Sequence, residues 1–490
     1  MEKLSDTFEL IQILDRLPQT KILCVGDIML DRYVYGHIDR ISPEAPIPVM
    51  QYSRKNMMLG GVGNVARNLA AWNCHVTMMA MVGADEPADD IRQLASEMPR
   101  LQLELLVDAN RPTTVKTRYV AGNQQIMRLD HESKNVMHDR LVADAVQKIK
   151  SIMPGMNAVI LSDYAKGTLS RKLVVEIIAA ARAHNVPVMV DPKGADYSHY
   201  AGATILSPNL KELAQISARN LLGDNDVVNA ATDLCKKLQL RAVLATRGKD
   251  GMTLVMANGS AHHLPASARE VYDVSGAGDT SIAMLAAALG AKSNMLDAAY
   301  MANVAAGIVV GKLGTAIVQS SEIDEALMQS RGGLTSKLYD LPALLDRVQL
   351  WRHQGYKVGF TNGCFDLIHP GHVSLLRQAR SSCDRLIVAL NTDASVSRLK
   401  GPNRPVQNEK SRATVMSSMD NVDAVVLFDE DTPMNLLQAI KPDVLVKGAD
   451  YTVATVVGAD FVQSYGGKIV LAKLEDGHST TNTVKRIAAG

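Results

Sequence analysis

The chain reads as an α/β protein with two parallel-sheet domains of unequal size. Short apolar runs end repeatedly in Gly, Asp, Ser, Pro, Asn or Thr, helix-like stretches lie between them, and the pattern restarts after Ser330-Arg-Gly-Gly-Leu-Thr-Ser336. At 490 residues the chain exceeds one ordinary core. The break predicts a larger domain over 1–330, a linker with a leading helix over 331–356 and a smaller domain over 357–490.

Composition removes several function classes. With 52 Lys+Arg against 51 Asp+Glu, no global field favours nucleic acid or an anionic membrane. The amino terminus lacks a basic segment leading into an apolar one, and no apolar run approaches the roughly 18 residues of a membrane span. A soluble, cytoplasmic protein is expected. The five cysteines are scattered without a C-x-x-C pair, which argues against a disulfide framework or a zinc site.

In order, Phe8 to Leu17 reads as an amphipathic helix and Lys21 to Asp27 as a buried strand ending in a polar turn. Val76 to Val82, Ala158 to Leu161, Val186 to Val190, Thr204 to Leu206 and Ala242 to Ala245 repeat that pattern. Val62 to Ala71, Ser170 to Ala183 and Asp226 to Leu238 read as intervening helices. Parallel sheets collect ligands at the carboxyl ends of their strands, which places Asp27, Asp31, Asp163, Asp191, Asn209 and Thr246-Arg247-Gly248 on one rim. Two alternating stretches, Pro46 to Tyr52 and Thr113 to Tyr119, suit a small sheet with one solvated face and read as a lid.

Three segments carry chemistry here. Gly60-Gly61-Val62-Gly63-Asn64 lets backbone approach a ligand, and Asn64 offers a donor and an acceptor to a sugar hydroxyl, although a turn with a helix cap gives the same pattern. Asn209-Leu210-Lys211-Glu212 opens a helix in which Glu212 can reach a hydrated Mg²⁺ on nucleotide phosphates, close a capping box, or do both at once. Asp273-Val-Ser-Gly276-Ala277-Gly278-Asp279-Thr280, running into apolar Ser281 to Leu289, presents backbone N–H groups at a helix start. Asp279 stands beside them, placed to take a proton from a hydroxyl attacking phosphorus. An acidic first turn favouring the helix dipole is the plainer account of that aspartate. Lys116, Arg118 and Arg128, in or near the second lid stretch, suit a phosphate already on the substrate or simple solvation.

Residues 10 to 320 resemble the ribokinase-like carbohydrate kinases of phosphofructokinase B type, through Gly60 to Ala70, Asp273 to Thr280 and the N-x-x-E segment at Asn209. The resemblance implies a three-layer domain with a small β lid. By position, Asp279 is the base, Gly276, Ala277 and Gly278 the anion hole, and Glu212 part of the magnesium network. Asp31, Gly60, Gly61 and Asn64 hold the sugar, Thr246 to Gly248 lie near nucleotide, and Asn303 lies near the adenine. Val274-Ser275 departs from the threonine-rich pair common in that family.

The second part starts with a helix, Leu341 to Arg352, and a strand, Lys357 to Gly363. His369-Pro-Gly-His372 then begins a helix. Two imidazoles three positions apart can donate to phosphate oxygens beside that helix start, whereas metal ligation lacks a third ligand of suitable spacing. Strands at Arg385 to Leu390, Ala424 to Phe428, Val444 to Val446 and Lys468 to Leu471 predict a smaller parallel sheet. Lys447 suits triphosphate charge, the basic loop Lys400 to Pro405 can close over a ligand, and Ser479-Thr480-Thr481 starts a further helix with hydroxyls and N–H groups.

Residues 340 to 490 resemble the cytidylyltransferase-like nucleotidyltransferases, which implies a Rossmann-like domain with Phe360, Thr361, His369, His372, Lys447 and Ser479 to Thr481 around nucleotide. A sugar kinase followed by a nucleotidyltransferase resembles the bacterial bifunctional enzymes of ADP-heptose synthesis. That resemblance implies ATP, Mg²⁺ and heptose phosphates as ligands, with a homodimer through the kinase domain. A kinase and nucleotidyltransferase of another sugar phosphate using CTP, and a sensor without turnover, are the alternative readings.

Overall fold

Ile22, Leu23, Cys24 and Val25 are wholly buried in succession, as a strand covered by helices on both faces requires. They form the middle of β1 (Lys21–Gly26) in a computed structural model that describes residues 4–122, 124–266, 273–312, 314, 316–331, 337–353, 355–448 and 451–473. The chain divides into two units, Met1–Leu327 and Met328–Gly490.

In the first unit β1 is followed by β2 (Ile28–Ile41), β3 (Pro48–Gly61), β4 (His75–Val82), β5 (Leu101–Val107), β6 (Val115–Ala121) and β7 (Gln124–His131). Then come β8 (Ala158–Ser162), β9 (Val188–Asp191), β10 (Ile205–Leu206), β11 (Ala242–Thr246), β12 (Met252–Met256) and β13 (Ala261–Leu264). The helices are α1 (Thr7–Arg16), α2 (Val62–Ala71), α3 (Glu86–Ser96), α4 (Asp139–Ile152), α5 (Arg171–Ala183), α6 (Leu210–Ser217), α7 (Asp224–Leu238), α8 (Ala277–Gly290), α9 (Met295–Val309) and α10 (Ser320–Arg331). Nine strands make the main sheet in the order β13-β12-β11-β10-β9-β8-β1-β4-β5. It is parallel from β11 to β5, and only the β12–β13 hairpin at one edge runs antiparallel.

The lid is larger than the two alternating stretches predict. Its four strands run β3-β2-β6-β7, and β2 carries Asp31, so this aspartate stands in the lid rather than on the rim of the main sheet. Buried Ile28, Met29 and Leu30 keep the chain extended after Asp27, and the outer half of β2 loses its apolar alternation, which hid the strand from a periodicity reading. Gly60 and Gly61 correspondingly end β3 instead of forming a free turn. The sharp bend into α2 falls at Gly61, whose φ is 60°, a conformation that glycine adopts without a Cβ penalty.

The second unit contains β14 (Leu338–Tyr339), α11 (Leu341–His353), β15 (Val358–Gly363), α12 (Pro370–Ser381), β16 (Arg385–Asn391), α13 (Asp393–Lys400) and α14 (Glu409–Ser417). It continues through β17 (Ala424–Phe428), α15 (Met434–Ile440), β18 (Val444–Gly448), α16 (Ala459–Ser464) and β19 (Lys468–Ala472). Its parallel sheet has the order β14-β17-β16-β15-β18-β19. The stretch before Asp340 reads as strandless, yet Leu338 and Tyr339 pair with Val425 and Val426. Leu344, Val348 and Trp351 of α11 enter the same core as Phe360 and Ile387. Two residues are too few to leave a period in the sequence.

Among the described residues no helix is long and apolar enough to cross a membrane, and all five cysteines are free thiols.

At Gly26 a Cβ would lie 2.2 Å from the carbonyl oxygen of Ser162 on paired β8. Gly26→Ala is expected to cost at least about 2 kcal/mol, because the two central strands must part. Urea denaturation followed by circular dichroism measures it, and an unchanged midpoint would show that the strands yield freely.

Candidate active sites

In the first unit Asp279 lies in the first turn of α8, behind Gly276 at φ 82°. Its carboxylate is buried and held from two sides. Asn64 Nδ2 donates to Oδ2 at 2.9 Å and the Tyr164 hydroxyl donates to Oδ1 at 2.8 Å. Burial pushes the Asp279 carboxyl up to about 6, against the two hydrogen bonds that pull it down. Ala277 N–H donates to Val274 O at 3.3 Å. The N–H groups of Gly278 and Asp279 are then the first-turn donors aimed outward, because helix starts leave such groups without intrahelical partners.

Tyr164 has no motif to announce it. It follows Ser162-Asp163 at the end of β8, and Asp27 fixes its loop by accepting from the N–H groups of Tyr164, Lys166 and Thr168, each at 2.9 Å. Asp27 is thereby a structural carboxylate. Asn64 has a second role besides the expected one. Its Oδ1 accepts from Arg67 at 3.4 Å while its amide holds Asp279, which leaves one N–H and one lone pair for a further partner.

The lid residues converge on Asp31. Arg118 pairs with it, and a Cβ on Gly60 would stand 2.2 Å from Asp31 Oδ2, which is why the carboxylate can pass so close to β3. Burial lowers the Lys116 ammonium, opposed by Asp31 and Asp130. Arg128 is turned to Asp130 through two bonds of 2.9 and 3.0 Å, a pairing within the lid.

On the main rim, Asn209 and Glu212 form the capping box: Asn209 Oδ1 accepts from Glu212 N–H and Glu212 Oε2 from Asn209 N–H, both at 3.0 Å. Glu212 Oε1 also accepts from Lys193 at 2.7 Å. Asp191, half-buried at the end of β9, lies near this pair, and desolvation, then Asp279 and Glu212, raise its carboxyl well above the usual range. Leu210 packs against the core, so its side chain is unavailable to nucleotide, whereas Lys211 is exposed. Thr246 bridges to Asn209. Arg247 is paired with Asp224 at 2.6 Å, and Gly248 begins the short turn after it. Asn303 is buried and donates to Pro265 O at 2.8 Å.

In the second unit His369 caps α12 and His372 lies in its first turn. Their rings stack with centroids 3.8 Å apart, and Phe365 lies 5.0 Å from His372. Burial, then His369 and Lys400, push the His372 imidazole down to about 4. The pair faces a cavity of about 210 Å³ that Thr361, Lys400, Arg404, Lys447 and Tyr451 also line. Lys447 Nζ donates to Asn362 O at 3.0 Å.

Phe360 is a correction. Its side chain is wholly buried in the core and its backbone lies between β16 and β18, so it shapes the strand rather than touching nucleotide. Asp366 and Arg412 were missed. Asp366 accepts from Arg404 Nε at 2.6 Å and from the N–H groups of Val406 and Gln407 at 2.8 and 3.0 Å. Burial raises this carboxyl, but those donors outweigh it and hold the group low. Arg412, fully buried, donates to Cys364 O and Asp393 Oδ1, both at 2.7 Å. Ser479, Thr480 and Thr481 lie outside the described residues.

Residues 19–322 match the pfkB family carbohydrate kinase model and residues 360–483 the cytidylyltransferase-like model. The first unit shares its fold with phosphofructokinase-2 from Escherichia coli in complex with potassium (TM-score 0.53, 16% identity, 63% of this chain and 98% of that one). It also resembles ribokinase from Arabidopsis thaliana complexed with ribose and ATP (TM-score 0.50, 20% identity, 63% and 98%). Bifunctional protein HldE from Paramagnetospirillum magneticum is 51% identical over 98% of both chains, and that from Rhodospirillum rubrum 49% identical over 98% of this chain and 97% of its own. With a carbohydrate-kinase unit and a nucleotidyltransferase unit joined in that order over nearly the full length, the chain belongs to the bifunctional HldE family.

Proposed function

We propose that the first unit phosphorylates the anomeric hydroxyl of D-glycero-β-D-manno-heptose 7-phosphate, and that the second transfers an adenylyl group from ATP to heptose 1-phosphate. The products are ADP-heptose, for the lipopolysaccharide core, and pyrophosphate. A separate phosphatase removes the 7-phosphate between the two steps. The observation that carries the kinase half is the buried Asp279 carboxylate beside the open N–H groups of α8.

In the first reaction Asp279 takes the proton of the sugar O1 hydroxyl as that oxygen bonds to the γ-phosphorus. The bridging β,γ bond breaks and ADP leaves with its electron pair. Asn64 and Tyr164 use one lone pair on each carboxylate oxygen, and an ionised carboxylate has about four, so capacity for the incoming proton is kept. Gly278 and Asp279 N–H groups steady the transferring phosphoryl group. Asp31, set by Arg118 and made close by Gly60, orients the sugar, and Lys116 is the lid cation suited to the 7-phosphate.

Among the described residues no group of three or more His, Cys, Asp or Glu is arranged to hold a metal. Mg²⁺ keeps most of its waters and uses few protein carboxylates. Glu212, with both oxygens already hydrogen-bonded, is suited to hold it through water, and the raised carboxyl of Asp191 fits a space short of positive charge. When bound, the ion offsets charge on the nucleotide phosphates.

In the second reaction a phosphate oxygen of heptose 1-phosphate attacks the α-phosphorus of ATP and pyrophosphate departs. That nucleophile is already an anion, so the site needs donors rather than a base. His369, His372 and Lys447 are placed to give them. ATP as substrate fits a cytoplasmic location. Exposed Ile41, Tyr52, Met127 and Leu129 on the lid strands support a homodimer through the kinase unit, and light scattering is expected to give twice the chain mass.

Asp279→Asn is expected to lower sugar phosphorylation at least about a thousandfold while adenylyl transfer persists, and His372→Ala to do the reverse. Product analysis by mass spectrometry with heptose 7-phosphate, then heptose 1-phosphate, each with ATP or CTP, reads both reactions. Loss of both activities from either folded variant contradicts two independent centres. The kinase requires Asp279 ionised, so its rate falls as pH drops through about 6. Tyr164→Phe removes a bond that favours the ionised form, and the acid limb of the kinase pH profile should move upward by about half a unit or more. A limb that stays in place would show that the hydroxyl does not tune the carboxylate.

A further inference from the structure

A second cavity, of about 800 Å³, opens on the first unit. Asn157, Pro187, Thr204 and Arg241 line it, and each immediately precedes a strand: β8, β9, β10 and β11. The cavity therefore lies at the amino ends of the parallel strands. Asp279, Glu212 and Thr246 stand at the opposite, carboxyl ends.

Its lining is one-sided in charge. Arg182, Arg241 and Lys292 contribute to it together with His184, and no Asp or Glu does. Among the described residues, none of these four side chains has a hydrogen-bond or ion-pair partner. Further donors are present. Asn157 Oδ1 accepts from Lys21 N–H at 2.8 Å, which leaves its amide N–H₂ for the cavity. Ser293 Oγ is buried without a partner. Gly202, at φ 84°, adopts a conformation that favours glycine and lies beneath the Arg182 guanidinium.

Cations at helix carboxyl ends commonly offset the helix dipole, and α5, α7 and α8 all end at this rim. Three such ends carry roughly −0.5 charge each, against about three full positive charges from Arg182, Arg241 and Lys292. The dipoles thus absorb about half of the charge. Moreover, Arg16 Nε already donates to Ala291 O at 3.1 Å, at the end of α8. The volume lies within the roughly 300–1,000 Å³ typical of small-molecule sites.

We propose that this cavity binds a polyphosphate-bearing small molecule of nucleotide size, at a site separate from both reaction centres. Guanidinium groups suit phosphate oxygens through paired N–H donors, and the Asn157 amide and Ser293 hydroxyl complete the donor set.

The test is isothermal titration calorimetry of the full-length chain with inorganic tripolyphosphate, for wild type and the double variant Arg182→Ala/Arg241→Ala. The wild type should show one more binding event per chain than the double variant, or that event should weaken at least tenfold. The kcat/KM of both reactions should stay within twofold. Lys292→Gln, a milder change, should weaken the same event several-fold and serves where the double variant does not fold. Unchanged stoichiometry and affinity in whichever variant folds would overturn the proposal and leave the cations as partners of the helix ends.

Discussion

The two hydrogen bonds on Asp279 tie the first unit together. Asn64 comes from α2, directly behind the bend at Gly61, and Tyr164 from the loop after β8. Asp279 itself opens α8, 215 residues from Asn64 and 115 from Tyr164. A carboxylate buried at such a junction is costly unless its charge is met. Its donors fix the relative placement of the lid exit, the central strands and the start of α8. Asp27 extends the arrangement by taking three backbone N–H groups of the Tyr164 loop. One aspartate at the end of β1 thus supports the residue that supports the candidate base.

The second unit reaches a comparable rigidity by a different route. Its pocket is framed by the loop after β15 and the basic loop after α13, and Asp366 joins them through Arg404, Val406 and Gln407. Arg412 adds a buried guanidinium that holds the Cys364 carbonyl and Asp393 at once. A loop of Lys, Gly, Pro and Arg reads from sequence as a free flap, but this one is anchored at its base while Lys400 and Arg404 still face the cavity. Removing Asp366 would leave a half-buried arginine without its carboxylate, so the loop's position and the pocket's charge are linked.

Much of this was legible in the sequence because buried parallel strands announce themselves as short apolar runs. The central strands from β1 to β11, and helices α2 and α5, fall within a residue or two of their expected positions. The glycine-rich start of α8 and the histidines of α12 are local patterns whose chemistry does not depend on distant partners. What escaped was of the opposite kind. β2 is apolar only in its first third, β14 is two residues long, and Phe360 sits beside a nucleotide motif while pointing into the core. Tyr164 acts on Asp279 across 115 residues, Asp366 on Arg404 across 38, and Arg412 on Cys364 across 48 and on Asp393 across 19, and no spacing rule in a single sequence encodes such pairings. Asn64 shows the same limit, since its residue type suited a sugar and nothing in the sequence indicated its bond to Asp279.

The two centres also differ in how they handle protons, and the difference follows from their nucleophiles. A sugar hydroxyl must lose a proton as it attacks, so the first unit keeps a buried carboxyl near 6, basic enough to accept the proton and still ionised at neutral pH. A sugar 1-phosphate brings its own negative charge, and among the described residues the first turn of α12 has no acidic residue and carries His372 pushed down to about 4. A neutral imidazole can donate one N–H without adding a full charge to a pocket that already contains Lys400, Arg404 and Lys447. Burial is the larger cause of the depression at His372 and the charges of His369 and Lys400 the smaller, so negative charge in the cavity would offset only the smaller part. The candidate site of the second unit is therefore furnished with neutral and cationic donors, whereas that of the first is furnished with a buried carboxylate.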